Sequence, residues 1–304
     1  MSRRITSVIA AAAAATALVV SLAGCASKPA ADGSSDSADK VVKVGVVDKS
    51  TAQWPAFVEA AKKEGITVEL VDFASYEQPN PALAEGELDL NQFQHIVYLA
   101  DYNVSSGKDL VPIGATAIYP LALYSSKYDD VKDIQKGETV AVPDDASNQA
   151  RALLVLQSAG LIELKSGGTT FSDLADIDKD KSKVEVTALE AALIPQSLPD
   201  VAAAIINNDF VDQAGLKFSD AIAQDDPTDP NALPYVNIFA ARAEDKDNKT
   251  YLKLVDIFQN DPGVQKGLQE ASGDTAVALK TPVADLEDAL KKVQKDTEAA
   301  KESD

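Results

Sequence analysis

The sequence contains few of the side chains that commonly carry catalysis or hold a metal ion. Its 304 residues include one histidine and one cysteine. A single cysteine excludes an intramolecular disulfide and a zinc site built from cysteines, and a single histidine excludes a site built from several histidines. The chain also lacks the G-x-S-x-G, P-loop and G-x-G-x-x-G motifs. A hydrolase of this sequence would therefore depend on His95 as its neutral-pH base.

Basic residues are scarce as well. The chain has 28 lysines and arginines against 48 aspartates and glutamates, which gives a formal net charge of -20. Such a charge opposes binding to a phosphate backbone or to anionic lipid through a basic surface. We therefore expect no nucleic-acid partner. In the absence of nucleotide and metal motifs, we also expect no cofactor.

The N-terminal segment has the layout of a secretory signal. A short basic stretch precedes an uncharged run from Ile5 to Leu22 that is rich in alanine and valine. Its length is borderline for a transmembrane helix, but Leu22-Ala23-Gly24-Cys25 matches the bacterial lipobox. In that motif small residues admit the signal peptidase, and the cysteine thiol receives a diacylglyceryl group. The pattern predicts a lipoprotein signal peptide over 1–24.

The segment that follows predicts a tethered protein. Acyl chains on Cys25 supply the two membrane-binding signals that stable anchoring needs. Residues 25–40 are rich in Ser, Ala and Asp and have no apolar period, so they predict a flexible tether. We expect the rest of the chain to lie close to the outer side of the cell membrane.

Strand-like and helical patterns alternate after residue 40. This alternation predicts an α/β fold with parallel sheets covered by helices. The apolar patterns predict strands over 41–47, 66–73, 110–123, 138–143, 184–186, 202–206 and 235–241, and helices over 54–64, 147–159, from 249 onward and over 282–302.

The only histidine stands in the stretch LDLNQFQHIVYLADYN, residues 88–103. If residues 91–102 were helical, Asn91, His95, Tyr98 and Tyr102 would form one polar stripe beside an apolar one. On periodicity alone, a packing role for His95 is favoured over a functional one.

A second polar cluster lies at the predicted start of the helix over 147–159. With Ser147 or Asn148 as the N-cap, Arg151 would lie in the first turn, where the helix dipole opposes a cation. One interpretation is that Arg151 binds a carboxylate together with free N–H groups of the helix. The alternative is an ion pair with Asp144 or Asp145, and the residues alone leave both open.

Two asparagines end or interrupt apolar strands. Asn207 follows an apolar run, as a simple turn former often does. Asn237 is flanked by apolar residues, and a buried amide there needs partners for its donors and its acceptor.

Four long segments carry a family resemblance. They are PNPALAEGELDLNQFQHIVYL, YPLALYSSKY, VAVPDDASNQARALLVLQSAGLI and LPYVNIFAAR. In this order, behind a lipobox, they resemble the methionine-binding lipoproteins of bacterial ABC importers over roughly residues 41–260. The resemblance implies a two-lobed periplasmic-binding-protein fold with two hinge crossovers and a ligand cleft between the lobes. It places the crossovers near Tyr119-Pro120 and Leu233-Pro234, with lobe one at 41–119 plus 235–304 and lobe two at 120–234.

The resemblance also implies a binding site. An aromatic and histidine wall would enclose the amino-acid side chain, and the asparagines and the arginine would hold its ammonium and carboxylate groups. The implied ligand-binding residues are Tyr76, Phe93, His95, Tyr98, Asn148, Arg151, Asn207 and Asn237. Two departures from the family pattern leave the ligand open among L-methionine, D-methionine, a methionyl dipeptide and another small amino acid. They are Asp144-Asp145-Ala146 in place of Asn-Asp-Pro, and Asn208-Asp209 in place of Gly-Asn.

The resemblance implies a monomeric, non-enzymatic receptor that is anchored by lipid and delivers an amino acid to an ABC permease. Two other classes remain as alternatives. One is a surface lipoprotein with an adhesin or signalling role, and the other is an extracytoplasmic hydrolase.

Overall fold

Two five-stranded sheets organise residues 41–302, the part of the chain that this computed structural model describes. The predicted signal peptide, Cys25 and the predicted tether lie outside the described residues. The strands are β1 Val42–Val47, β2 Val68–Phe73, β3 Leu90–His95, β4 Val111–Ala115, β5 Ala117–Ile118, β6 Ala122–Tyr124, β7 Thr139–Pro143, β8 Glu185–Leu189, β9 Ala203–Ile206, β10 Ala223–Gln224, β11 Asn237–Ala241 and β12 Val277–Ala278.

Helices cover both sheets. Between residues 41 and 302, no helix is long and apolar enough to cross a membrane. The helices are α1 Gln53–Lys63, α2 Pro79–Ala84, α3 Ile96–Ser106, α4 Ala146–Ser158, α5 Ile194–Ser197, α6 Lys249–Asn260, α7 Pro262–Ala271 and α8 Val283–Lys301, and short 3-10 turns join several of them to the strands.

The two sheets are mixed rather than parallel. The first has the order β2-β1-β3-β11-β4, and the second has the order β10-β6-β9-β7-β8. Strand β1 runs parallel to β2 and β3, whereas β11 is antiparallel to β3 and β4. In the second sheet β7 is parallel to β8 and β9, and β6 is antiparallel to β9. Strand β11 is reversed because the chain returns to the first sheet from the edge at which β3 ends, with Asn237 opposite His95.

Each sheet is the centre of one lobe, and the predicted two-lobed α/β architecture is confirmed. The first sheet takes strands from both sides of the segment that forms the second sheet. The chain crosses between the sheets twice, between β5 and β6 and again before β11. The predicted crossovers at Tyr119-Pro120 and Leu233-Pro234 fall in these two connections. The lobe boundaries themselves stay a prediction.

Several predicted elements are interrupted, mostly at prolines. The strand predicted over 110–123 is divided into β4, β5 and β6, and Pro120 lies in the second gap because it has no N–H for a strand ladder. The strand predicted over 235–241 begins at Asn237, after a 3-10 turn that contains Pro234. The helix predicted from residue 249 is two helices, because Asp261 caps α7 and Pro262 begins it.

The first lobe has a core on each face of its sheet. On one face Trp54 and Phe57 of α1 pack against Phe258 of α6, with ring centroids 5.8 Å from Phe258 in both cases. On the other face Ile96 of α3 and Leu286 of α8 are fully buried in one cluster. The sheet is therefore held rigidly, and its strand ends can position side chains at the cleft.

Candidate functional site

All eight residues that the resemblance implied as ligand-binding line one cavity between the two lobes. Five come from the first lobe and three from the second. The enclosed space measures about 30 Å³, so little room remains between the lobes in this conformation. The same cavity is also lined by Gln94, Tyr119, Pro120, Leu121, Asn208 and Asp209, which sequence reasoning did not include in the site.

The stretch around the single histidine is a strand followed by a helix. Residues 90–95 form β3, and α3 begins at Ile96. The prediction of one polar stripe on a continuous helix is therefore wrong for Asn91, His95, Tyr98 and Tyr102. Asn91 instead donates to the side chain of Asn80, at 2.9 Å, away from the cavity. The turn from strand to helix is what brings His95 and Tyr98 to the same wall.

His95 is the N-cap of α3 and is held as a neutral ring. Its Nδ1 accepts a hydrogen bond from the backbone N–H of Tyr98 at 3.1 Å, so the proton lies on Nε2. Nε2 lies 3.2 Å from Oδ1 of Asn148. Burial, with a further contribution from the positive charge of Arg151, lowers the pKa of His95 to about 3. The side chain is thus a hydrogen-bond donor that stays uncharged throughout the physiological range.

Asn148 joins the two lobes through a short chain of hydrogen bonds. Its Oδ1 accepts from His95 and, at 3.1 Å, from Nδ2 of Asn207. Its Nδ2 donates to both carboxylate oxygens of Asp145, at 3.0 and 3.1 Å. These bonds fix the orientation of both amides. Oδ1 of Asn207 is buried and has no partner among the described residues, so it presents a free acceptor at the cavity.

The helix that carries Arg151 starts earlier than the sequence predicts. Asp145 is the N-cap of α4, in place of Ser147 or Asn148, and accepts from the backbone N–H of Asn148 at 2.9 Å. Arg151 is therefore beyond the first turn, where the helix dipole opposes a cation less strongly. The prediction of a first-turn arginine is wrong, although the residue does line the cavity.

Arg151 is paired with Asp225, and the proposed pairing with Asp144 or Asp145 is wrong. Nε donates to one oxygen of Asp225 at 2.6 Å and Nη2 to the other at 3.2 Å. Nη2 also donates to the carbonyl of Tyr119 at 2.9 Å. The guanidinium carbon lies 4.4 Å from the ring centroid of Tyr235. Within residues 41–302, Nη1 of this firmly held guanidinium has no hydrogen-bond partner.

Three aromatic rings form the apolar side of the cavity. The centroids of Tyr76, Phe93 and Tyr98 are separated by 5.6–6.1 Å. Phe210, which follows β9, supports Tyr76 from behind at 5.1 Å. Tilted and edge-on rings at these distances give a polarizable surface that suits an apolar or thioether group. Asn237 stands at the start of β11 beside this wall and lines the same cavity.

Asp209 is the acidic member of the cavity lining. It follows Asn207 and accepts a hydrogen bond from the hydroxyl of Tyr76 at 2.6 Å. Burial raises the pKa of Asp209 to about 6. Its position two residues after Asn207, in the pair Asn208-Asp209 that departs from the family pattern, was the indication in the sequence. Acidic residues are so numerous in this chain that none stands out by type alone.

The NlpA lipoprotein family model matches residues 42–279. This chain belongs to the NlpA lipoprotein family. Among curated members, the probable D-methionine-binding lipoprotein MetQ of Pasteurella multocida is 38% identical over 259 residues, 84% of this chain and 92% of the relative. The D-methionine-binding lipoprotein MetQ of Escherichia coli is 37% identical over 225 residues, 72% of this chain and 82% of the relative.

Solved structures of similar proteins agree with the fold. A nutrient binding protein from Burkholderia cenocepacia bound to methionine has a TM-score of 0.72 and 38% identity, covering 78% of this chain and 99% of the other. The substrate binding protein of a methionine transporter from Streptococcus pneumoniae has a TM-score of 0.73 and 36% identity, covering 79% and 95%. The fold is therefore the one used by methionine-binding substrate-binding proteins of ABC transporters.

Proposed function

We propose that this protein is the substrate-binding component of an ABC importer and that it captures methionine. The observation that carries the proposal is the pairing of polar and apolar groups around one cavity. Arg151 offers the free Nη1 edge as a donor for a carboxylate, and Asn207 offers a free buried acceptor for an ammonium group. The aromatic wall of Tyr76, Phe93 and Tyr98 suits a thioether. The names of the relatives, several of which bind methionine, support the same ligand.

The ligand would act as the bridge that holds the two lobes together. Arg151 and Asn207 belong to the second lobe, and the aromatic wall belongs to the first. A cavity of about 30 Å³ is far smaller than the roughly 300–1,000 Å³ of typical ligand pockets. Admission of an amino acid therefore requires the lobes or their side chains to separate. A ligand with contacts on both sides binds the closed state more tightly and shifts the population toward it.

The protein would work outside the cell membrane, anchored through lipid on Cys25 and held by the tether over 25–40. Its partner would be the permease of the importer, which recognises the closed monomer. A hydrolase is disfavoured because His95, with a pKa of about 3, is a weak base at neutral pH. Among residues 41–302, no specific contact favours the adhesin or signalling role.

The proposal is tested by thermal unfolding of the purified chain in the presence of each of the twenty amino acids, D-methionine and a methionyl dipeptide. A ligand at 100 times its Kd stabilises the folded state by about 2.7 kcal/mol. We expect the largest rise in Tm with methionine, and the comparison of its two enantiomers decides the stereochemistry. A panel in which no compound raises Tm would contradict an amino-acid receptor.

A further inference from the structure

Asp209 lines the cavity, although it lies on the second lobe and bonds to the first. It stands two residues after Asn207, directly beyond β9. Its Oδ2 accepts from the hydroxyl of Tyr76 at 2.6 Å, and its Oδ1 accepts from Nδ2 of Asn208 at 3.1 Å. Each carboxylate oxygen has capacity for a further hydrogen bond. The carboxylate is therefore in place to accept from a ligand in the cavity.

The negative charge of Asp209 is not balanced by the protein. Among the ion pairs of residues 41–302, none includes Asp209, and the like charge of Asp48 raises the pKa of Asp209 further. The cation of the cavity, Arg151, is already paired with Asp225 at 2.6 Å. The residue is half-buried, and a carboxylate that is partly withdrawn from water without a cation is costly, so such groups are normally paired. The raised pKa of Asp209 has the same origin, because burial penalises its charged form.

We propose that Asp209 is the counter-ion for a positively charged group of the ligand and so selects for ligands that carry one. The inference rests on the proposed function and adds a specificity-determining residue to it. The cationic group has two possible sources. One is the α-ammonium of the amino acid, and the other is a cationic side chain lying against the aromatic wall, whose rings also attract cations.

The hydrogen bond to Tyr76 alone does not require a charged residue at this position. An asparagine oxygen also accepts from a tyrosine hydroxyl. Asp209→Asn is therefore a nearly isosteric change that removes the charge and keeps an acceptor for Tyr76.

The experiment measures Kd by calorimetry for the purified full chain and for Asp209→Asn with three ligands. The ligands are methionine, its desamino acid, which lacks the α-ammonium, and S-methylmethionine, whose side chain carries a sulfonium group. Hydrogen bonds to charged groups lead us to expect methionine to bind Asp209→Asn roughly ten- to a hundredfold more weakly. The matched control is Asp212→Asn, which removes the same charge from an exposed residue of the same lobe and should leave every Kd within about twofold.

The pattern across the ligands identifies the cationic group. If the α-ammonium faces Asp209, the loss disappears for the desamino acid. If the side chain faces it, the loss is larger for S-methylmethionine than for methionine. An equal effect of Asp209→Asn on all three ligands would overturn the inference.

Tyr76→Phe separates the charge of Asp209 from its contact with Tyr76. This variant keeps the carboxylate, so the preference for methionine over the desamino acid should persist. If the preference of Tyr76→Phe for methionine over the desamino acid is as low as that of Asp209→Asn, then Asp209 acts only by holding Tyr76. That result would overturn the inference. If the protein binds a different amino acid, the proposed ligand is wrong. The role of Asp209 is then still tested by the ratio of the Kd values for that amino acid and its desamino acid, measured in the parent protein and in Asp209→Asn.

Discussion

Asp225 is expected to hold the binding arginine in place, so Asp225→Ala should reduce both stability and affinity. Its carboxylate accepts from Nε and Nη2 of Arg151, at 2.6 and 3.2 Å. It also accepts from the backbone N–H of Leu121 at 2.8 Å, in the connection between the lobes. The substitution leaves the guanidinium without its carboxylate and the Leu121 N–H without its acceptor. The guanidinium of Arg151, which lines the cavity, would then no longer be held in place by Asp225.

The size of the effect follows from the burial of the pair. Breaking a fully buried ion pair by removing one partner costs about 3–5 kcal/mol. Here the side chain of Arg151 is 7% exposed and that of Asp225 is 27% exposed, so water reaches part of the pair and screens it. We expect a loss of about 3 kcal/mol in the free energy of unfolding, near the lower end of that range. In a protein of this size the loss lowers Tm by about 6–12 °C.

The assay is urea unfolding followed by the fluorescence of Trp54, the single tryptophan, which is buried in the first lobe. Asp212→Ala is the matched control, because Asp212 is exposed and its side chain makes no hydrogen bond among the described residues. Calorimetry on the same variants measures affinity for methionine, which should fall at least tenfold for Asp225→Ala alone. A stability loss below about 1 kcal/mol, or equal losses for both variants, would refute the role given to Asp225.

Two further predictions concern the histidine and the packing of the first lobe. Because the pKa of His95 is lowered to about 3, its NMR ring-proton signal should not shift between pH 5 and 8. A titration of this signal with a midpoint near pH 6.5 would contradict a buried neutral ring. Gly267→Ala in α7 should destabilise the fold by about 1–3 kcal/mol in urea unfolding, because its new Cβ would lie 2.6 Å from backbone atoms of Ala52 and Gln53. Gly263→Ala is the control, since its Cβ would meet side-chain atoms alone, an oxygen of Asp261 at 3.1 Å and Cβ of Ala56 at 3.7 Å. An equal loss in both variants would refute the packing argument.

Helices and strands are predicted well from the sequence where a single local pattern defines their bounds. Helix α1 and strand β7 are close to their predicted ranges because an apolar period and a glycine or proline at the end define them. The start of α4 differs by a residue or two because Asp145, Ser147 and Asn148 can all serve as an N-cap. Only the three-dimensional hydrogen bond selects Asp145.

The sequence pattern does not predict the strand over 90–95, because this strand is buried on both faces. Its residues do not alternate between apolar and polar, so the period of two that marks a half-buried strand is absent. The side-chain amides of this strand form hydrogen bonds with neighbouring side-chain amides instead. The side chain of Gln94 donates to Asn80 at 2.6 Å and to Asn91 at 3.0 Å. A polar, fully buried strand has no signature in a single sequence.

The partners of the site residues were the least predictable part. Asp225 is separated from Arg151 by 74 positions, in an acidic stretch that reads as an ordinary loop. The family resemblance supplied the eight candidate residues, and the structure brings them to one cavity. Their contact with a ligand stays a proposal. The charge arrangement, with Arg151 paired and Asp209 unpaired, depends on tertiary contacts that no local pattern encodes.

The binding of methionine through Arg151 is measured most directly by a calorimetric titration of the purified protein and of Arg151→Lys with methionine. Lysine keeps a positive charge beside Asp225 but cannot donate to Asp225 and to a ligand carboxylate with a rigid fork. We predict saturable binding of one methionine per chain, and an affinity at least tenfold lower in Arg151→Lys. Equal affinity in both proteins, or no binding by the parent protein, would contradict a methionine receptor that holds its ligand through Arg151.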